Sequence, residues 1–295
     1  MLRRWDIVVE NLNLFVRIAR KFVKKACSKL RKKRGRPPKH NIEDYLTLII
    51  AKEEDKKTLR GAEARLSKNI CDARVDHSVI AYWENKPEVE IIVANVIEEI
   101  GIKLQRLLGY EFSMLDSTKF SNWHHDEVEF HVTNRILKGV VYPVGTSLIT
   151  TTVHEPVEEA TPLGEGNLYA DAWYDDNKSM GVLFNKGYTP IICPNKNRWR
   201  GYWRKKARKL YRNIKNRYGY RQRGRGESIF GSLTNEYGDR IKTLTVQATR
   251  IRSLVRIVAH QVKLLMRILE RLVRILRHAQ IIGKFIYNIL YKDYR

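Results

Sequence analysis

Phe112-Ser-Met-Leu-Asp116 marks the point where this 295-residue chain changes character. Before it, apolar residues recur every three or four positions; after it, they alternate or cluster in short blocks. The first spacing is helical and the second belongs to strands. Phe112 to Asp116 reads as a short strand ending in an acid. Val128-Glu-Phe-His-Val-Thr133 alternates apolar and polar, as a half-buried strand does. Lys138-Gly139 signals a turn, and the Val, Ile, Thr and Tyr of 140–153 predict one long strand or two. Gly164, Gly166 and Asn167 mark a loop before a fourth strand, Leu168-Tyr-Ala-Asp171. A helix over 174–187, closed by Gly187, then leads to a fifth strand, Thr189-Pro-Ile-Ile-Cys193. Three strands followed by strand, helix, strand predict a mixed α/β sheet.

Upstream, 5–34 reads as a helix that grows steadily more basic and ends in Arg34-Gly-Arg36-Pro-Pro-Lys39, where proline and glycine break regular structure. Residues 41–86 predict three short helices, with Asn41 and Thr58 as caps and Ser78 near the third start. Such a trio fits a helix-turn-helix, whose last helix enters a major groove, or an ordinary small bundle. A further helix spans 88–108, carrying Val89, Ile92, Val93, Val96, Ile97, Ile100 and Leu104 at helical spacing. Residues 246–290 predict a long amphipathic helix or helix pair. Leu254, Ile257, Val258, Val262 and Leu265 make its apolar stripe, and Arg252, Arg256, Lys263 and Arg267 cover the other faces. That stripe is expected to cover a face of the sheet.

The net charge of +24 and pI near 10 speak about partners rather than fold. Nucleic acid and anionic membrane both suit it. A membrane-spanning helix needs roughly 20 consecutive apolar residues, and charges interrupt every apolar run, so no membrane span is expected. Met-Leu-Arg-Arg-Trp-Asp6 opens no signal-peptide pattern. Cys27, Cys71 and Cys193 are far apart and form no C-x-x-C pair, so a reducing cytoplasm is expected.

Three acids stand out. Asp116 and Asp171 each close an apolar block, and Asp is disfavoured in strand interiors. A turn or helix cap explains either one alone. Glu227 is the first acid after a tract, Lys196 to Arg225, that holds fourteen Lys and Arg and no Asp or Glu. A helix first turn favours a glutamate, but that does not account for the cationic density before it. Lys and Arg neutralise phosphates, and Mg²⁺ takes carboxylate oxygens. Within the tract, Trp199, Tyr202, Trp203 and Tyr211 either stack on unpaired bases or anchor the tract to the core. Asp175 and Asp176 read as helix caps, Glu127 and Glu129 as solvent-facing strand residues, and His124-His125 as a loop pair unable to share one ion.

Tyr220-Arg-Gln-Arg223-Gly-Arg-Gly-Glu227 resembles the Y-x2-R-x3-E-x6-K signature of insertion-sequence transposases with a DDE catalytic core; the closing Lys position holds Thr234. The Ser-Thr after Asp116 and the Asp-Ala-Trp-Tyr-Asp run from Asp171 are similar to that family's surroundings of its first and second acids. The resemblance spans 36 to about 250 and implies a ribonuclease-H-like mixed sheet flanked by helices. It implies that Asp116, Asp171 and Glu227 are catalytic and hold Mg²⁺ or Mn²⁺, with Asp116 shared between two ions. Arg223 would contact a phosphate, and Tyr220 would position that loop or stack on a base. Arg34-Gly-Arg36-Pro resembles an AT-hook core; a plain charged linker is the other reading. With Arg204, Lys205 and Lys206 of the tract, these are the expected DNA contacts.

The organisation expected is a basic helix over 1–35 and a helix-turn-helix-like DNA-binding region with a hook-like start over 36–108. A catalytic core follows over 109–250, with a basic insertion near 196–225, and then a C-terminal helical segment over 251–295. The implied activity is DNA strand cleavage and transfer at terminal inverted repeats. The implied partners are double-stranded DNA and a second copy in a homodimer, in a nucleoid-associated cytoplasmic setting. A nuclease with the same core, and a DNA-binding protein that has lost catalysis, remain as alternatives.

Overall fold

The computed structural model describes residues 11–29, 38–197 and 200–292, with 276–292 as backbone alone. Helix α1, Leu12–Cys27, starts on Asn11, whose side chain accepts the Leu14 N–H at 2.9 Å. The predicted segment 1–10, the hook residues Arg34 and Arg36, and Trp199 lie outside the described residues. Four helices, not three, fill the next stretch: α2 (Ile42–Glu54), α3 (Leu59–Arg65), α4 (Ser67–Cys71) and α5 (His77–Glu84). Thr58 caps α3 as expected, accepting from Gly61 N–H at 3.1 Å. Asn41 begins α2 without a side-chain bond; Asp76 caps α5, and Ser78 lies in its first turn, near the start as expected. The long α6 runs from Pro87 to Leu108.

Five strands form one sheet in the order β3-β2-β1-β4-β5. They are β1 (Phe112–Ser121), β2 (Glu127–Leu137), β3 (Val140–Ser147), β4 (Gly166–Ala170) and β5 (Tyr188–Ile192). The first three are antiparallel, and β4 and β5 run parallel to β1. This mixed sheet flanked by helices is consistent with a ribonuclease-H-like core. Lys138 and Gly139 turn the β2–β3 hairpin with φ of 46° and 87°, the positive values that a two-residue hairpin turn needs.

The strand predicted over 140–153 stops at Ser147, and a short helix, α7 (His154–Ala160), follows. Hydroxyl side chains divert the backbone there: Ser147 Oγ accepts from Ile149 N–H at 3.1 Å, and Thr152 Oγ1 from Glu155 N–H at 3.3 Å. Such local bonds compete with a ladder. Helix α8, Asn177–Asn185, joins β4 to β5 and is followed by Gly187 at φ 93°. The basic tract folds into α9 (Tyr202–Arg212), α10 (Ile214–Tyr220) and a 3-10 turn, Arg221–Arg223, which leads into α11 (Gly224–Tyr237).

A single C-terminal helix, α12, spans Val246–Lys292. Its apolar stripe packs, as expected, in one hydrophobic cluster with α1, α2, α6, α11 and the Phe120–Phe130 face of the sheet. Its cations correct the expectation. Arg256 and Lys263 are buried, and Arg252 nearly so, because α2 supplies their counter-charges. Glu53 pairs with Arg252 at 2.7 Å and Arg256 at 2.9 Å, and Glu54 with Lys263 at 3.1 Å. Among the described residues no helix is long and apolar enough to cross a membrane.

Candidate active site

The site begins with strand register. β1 pairs with β4 through Ser113–Leu168, Met114–Tyr169 and Leu115–Ala170. Asp116 and Asp171 are each the next residue along the chain. β1 continues to Ser121, so Asp116 is mid-strand and not terminal as the sequence had indicated. It ends only the pairing with β4. Alternation places Asp116 on the face of Met114, opposite the face of Leu115. Asp171 leaves the sheet as the cap of a 3-10 turn, Ala172–Tyr174, accepting the Ala172 N–H at 2.5 Å.

Glu227 reaches the same place because α11 lies against β1. Gly226 sits on Met114, where an added Cβ would come within 2.8 Å of Met114 Cε. Phe230, one turn on, packs edge-to-face on Phe130 of β2. Glu227 is in the first turn of α11. Arg223 lies between the acids, with Nη1 3.7 Å from Asp171 and Nη2 3.3 Å from Glu227. Asp171 and Glu227 are about half exposed, whereas Asp116 is more enclosed. Burial pushes the Asp116 carboxyl above the ordinary aspartate range, and Glu227 and Asp171 add to the rise. The Ser117 N–H and the Arg223 guanidinium pull it down. The three carboxylates therefore share one electrostatic neighbourhood, though their oxygens do not all lie within 4.8 Å of one another.

Tyr220 is structural in this arrangement. Its hydroxyl donates to the Ala170 carbonyl at 3.2 Å, one residue before Asp171. Its ring packs against Tyr169 and Tyr211, and burial lifts the phenol to about 12. That leaves Tyr220 holding the loop, not offering a face to a base. Gly219 beside it has no room for a Cβ, because the Tyr169 hydroxyl occupies the space.

The basic tract divides by helix face. Lys205, Lys209, Arg212, Lys215, Arg217, Arg221 and Arg225 are exposed. Lys206 is exposed too, with its ammonium over the Phe184 ring at 4.3 Å. Arg204 departs from the expectation of a DNA contact. It is buried, with Nε 2.9 Å from Asp175, and it also donates to the Arg200 carbonyl. Asp175 is accordingly a buried counter-ion and not a cap; Asp176 is the cap of α8, accepting from Ser179 N–H at 3.0 Å. Trp203 stacks on Phe184 and Tyr211 meets Tyr220 edge to face, so both anchor the tract, while Tyr202 and Tyr218 are exposed.

Two features escaped the sequence reading. Glu129 does not simply face solvent: it accepts from Ser117 Oγ at 3.0 Å, next to Asp116. Glu63, Asp76 and His77 form a tight trio among the described residues, but Arg74 already holds Glu63 at 2.5 Å and Ser78 holds Asp76. Hydrogen-bonded carboxylates of this kind stabilise the α3–α5 connection. His124 and His125 sit in the β1–β2 turn, away from any such grouping.

Residues 146–262 match the family model described as Transposase DDE domain, which supports a DDE transposase. The matched stretch contains Asp171 and Glu227 and begins after Asp116. No curated protein and no solved structure matches the chain.

Proposed function

We propose that the chain is an insertion-sequence transposase that cleaves DNA at terminal inverted repeats and joins the freed ends to a target. The observation that carries this reading is the meeting of Asp116, Asp171 and Glu227 around Arg223 at the end of the β1–β4 pairing. The donor set fits divalent metal. Three carboxylates offer hard oxygens suited to Mg²⁺ or Mn²⁺, and Asp116 feels the other two acids as added negative charge. When bound, such ions neutralise charge on the attacking and leaving oxygens of an in-line phosphoryl displacement.

The protein's own groups do the rest. Tyr220 ties the Arg221–Arg223 turn to β4, which fixes where Arg223 points. Arg223 presents a planar donor fork suited to a phosphate oxygen. The exposed cations of α9, α10 and the following turn line the approach for a duplex backbone. The helices between α2 and α5 and the hook around Arg34 and Arg36 are proposed as further DNA-binding parts. Joining two ends calls for a second copy of the chain.

The test is Asp116→Asn, assayed on a labelled duplex made from the inverted repeats that flank the gene. Cleavage in Mg²⁺ should fall by at least ~10²-fold, the scale of losing one charge-stabilising group. Gel-shift affinity in Ca²⁺ should persist. A wild-type chain that binds this duplex but never cuts it would make the protein a DNA-binding derivative. One that cuts without joining would make it a nuclease.

A further inference from the structure

The second acid of the site rests on a buried pair, one member of which, His131, lies outside both the sequence motifs and the matched stretch. His131 lies in β2 and Tyr174 ends the 3-10 turn that Asp171 begins; both are essentially inaccessible to solvent. His131 Nδ1 is 2.8 Å from the Tyr174 hydroxyl. The Trp173 indole lies flat on the imidazole, with ring centroids 5.1 Å apart and planes 22° apart. The Tyr174 backbone N–H in turn donates to the Asp171 carbonyl at 3.0 Å. His131 Nε2 is buried without a partner.

A buried imidazole with one unsatisfied nitrogen is costly. Something must favour histidine here. The geometry gives the reason. A three-residue turn at the end of β4 has no ladder bonds beyond Ala170 to hold it. The His131–Tyr174 bond and the Trp173 stack are its side-chain ties to the middle of the sheet. The Tyr174 hydroxyl also neighbours Ser117, whose Oγ donates to Glu129, so the tie reaches the strand segment beside Asp116.

We propose that His131 and Tyr174 are positioning residues that hold the Ala172–Tyr174 turn, and so the Asp171 carboxylate, in place to share a divalent cation with Asp116. This rests on the metal-dependent reading above. Neither residue touches substrate. Their effect is on where Asp171 sits, so it should show first in metal affinity.

The test is Mn²⁺ binding to the full-length chain, followed by loss of the free-ion electron paramagnetic resonance signal. Asp171→Asn serves as the control that assigns the site. Tyr174→Phe, which deletes one oxygen, and His131→Ala should each weaken Mn²⁺ binding about tenfold, the lower end for groups that orient a metal ligand. Gel-shift affinity for DNA in EDTA should stay at the wild-type value. His131→Asn, whose amide can replace the Nδ1 contact, should restore Mn²⁺ binding. Where His131→Ala does not fold, Tyr174→Phe carries the comparison. Equal Mn²⁺ affinity in wild type, Tyr174→Phe and His131→Ala overturns the positioning role alone. Absence of Asp171-dependent Mn²⁺ binding in the wild type overturns the metal reading and this inference with it.

Discussion

Asp116 and Asp171 stand one residue past the Leu115–Ala170 rung, the last that joins β1 to β4. Parallel pairing therefore sets their separation, and neither loop length nor side-chain contact is needed to bring them together. A one-residue slip in that register would send Asp116 to the opposite face of the sheet. The buried Met114, Leu115, Leu168 and Ala170 hold the register, since each has a core to fill on its own side.

Arg223 acts as an internal cation between Asp171 and Glu227. Removing it with Arg223→Ala should tighten Mn²⁺ binding in the absence of DNA by about two- to fivefold, the range for exposed charge pairs. Strand cleavage should fall in the same variant, because the phosphate loses its donor fork. A Mn²⁺ titration showing weaker binding than wild type would contradict this role.

Neighbours on α9 should behave differently. Lys205→Ala and Lys206→Ala together should flatten the log-log salt dependence of DNA binding by roughly 0.9 for each phosphate no longer neutralised, with little change in melting temperature. Arg204→Ala should instead destabilise the fold by about 1.5–3 kcal/mol, because buried Asp175 loses its closest cation and keeps only the Asn195 N–H and the longer Arg208 pair at 3.8 Å. Denaturant unfolding and salt-dependent gel shifts on the same proteins separate the two outcomes.

Glu53 is the centre of the α2–α12 ion network. Burial opposes its ionisation, but Arg252, Lys52 and Arg256 outweigh that and hold the carboxyl down to about 2, against an ordinary 4.5. A folded-state value below the unfolded one means the stabilisation is complete above about pH 4.5 and is lost as pH falls toward 2. Glu53→Gln should cost about 3–5 kcal/mol at pH 7, and its melting temperature should be less sensitive to pH between 2 and 5 than wild type. A parallel pH profile for the two proteins would remove Glu53 from the network's acid response.

Gly101 in α6 lies on β3, where an added Cβ would meet Val144 Cα at 2.7 Å and the Pro143 carbonyl oxygen at 3.0 Å. Backbone cannot move aside as a side-chain tip can. Gly101→Ala should therefore destabilise by about 1–3 kcal/mol, although alanine is the better helix former. A measured stabilisation in urea unfolding would mean that α6 sits farther from β3.

By itself the sequence determined what is local. Apolar spacing set α6 and α12, Thr58 and Asp176 set helix starts, Lys138-Gly139 set the hairpin, and the chain order of Asp116, Asp171 and Glu227 was plain to read. These signals act over one or two turns or rungs, so few residues suffice to carry them. Partners were another matter. The spacing that exposes Lys205 gives no hint that Arg204 meets Asp175, nor that Arg256 and Lys263 are buried against Glu53 and Glu54. Nor does it place Tyr220 under the site or His131 beneath the Asp171 turn. A charge is read as solvent-facing until a distant segment brings its counter-charge, and a strand residue is read as an end until the neighbouring strand stops. Only the tertiary structure decided those, because each depends on contacts between residues far apart in the chain.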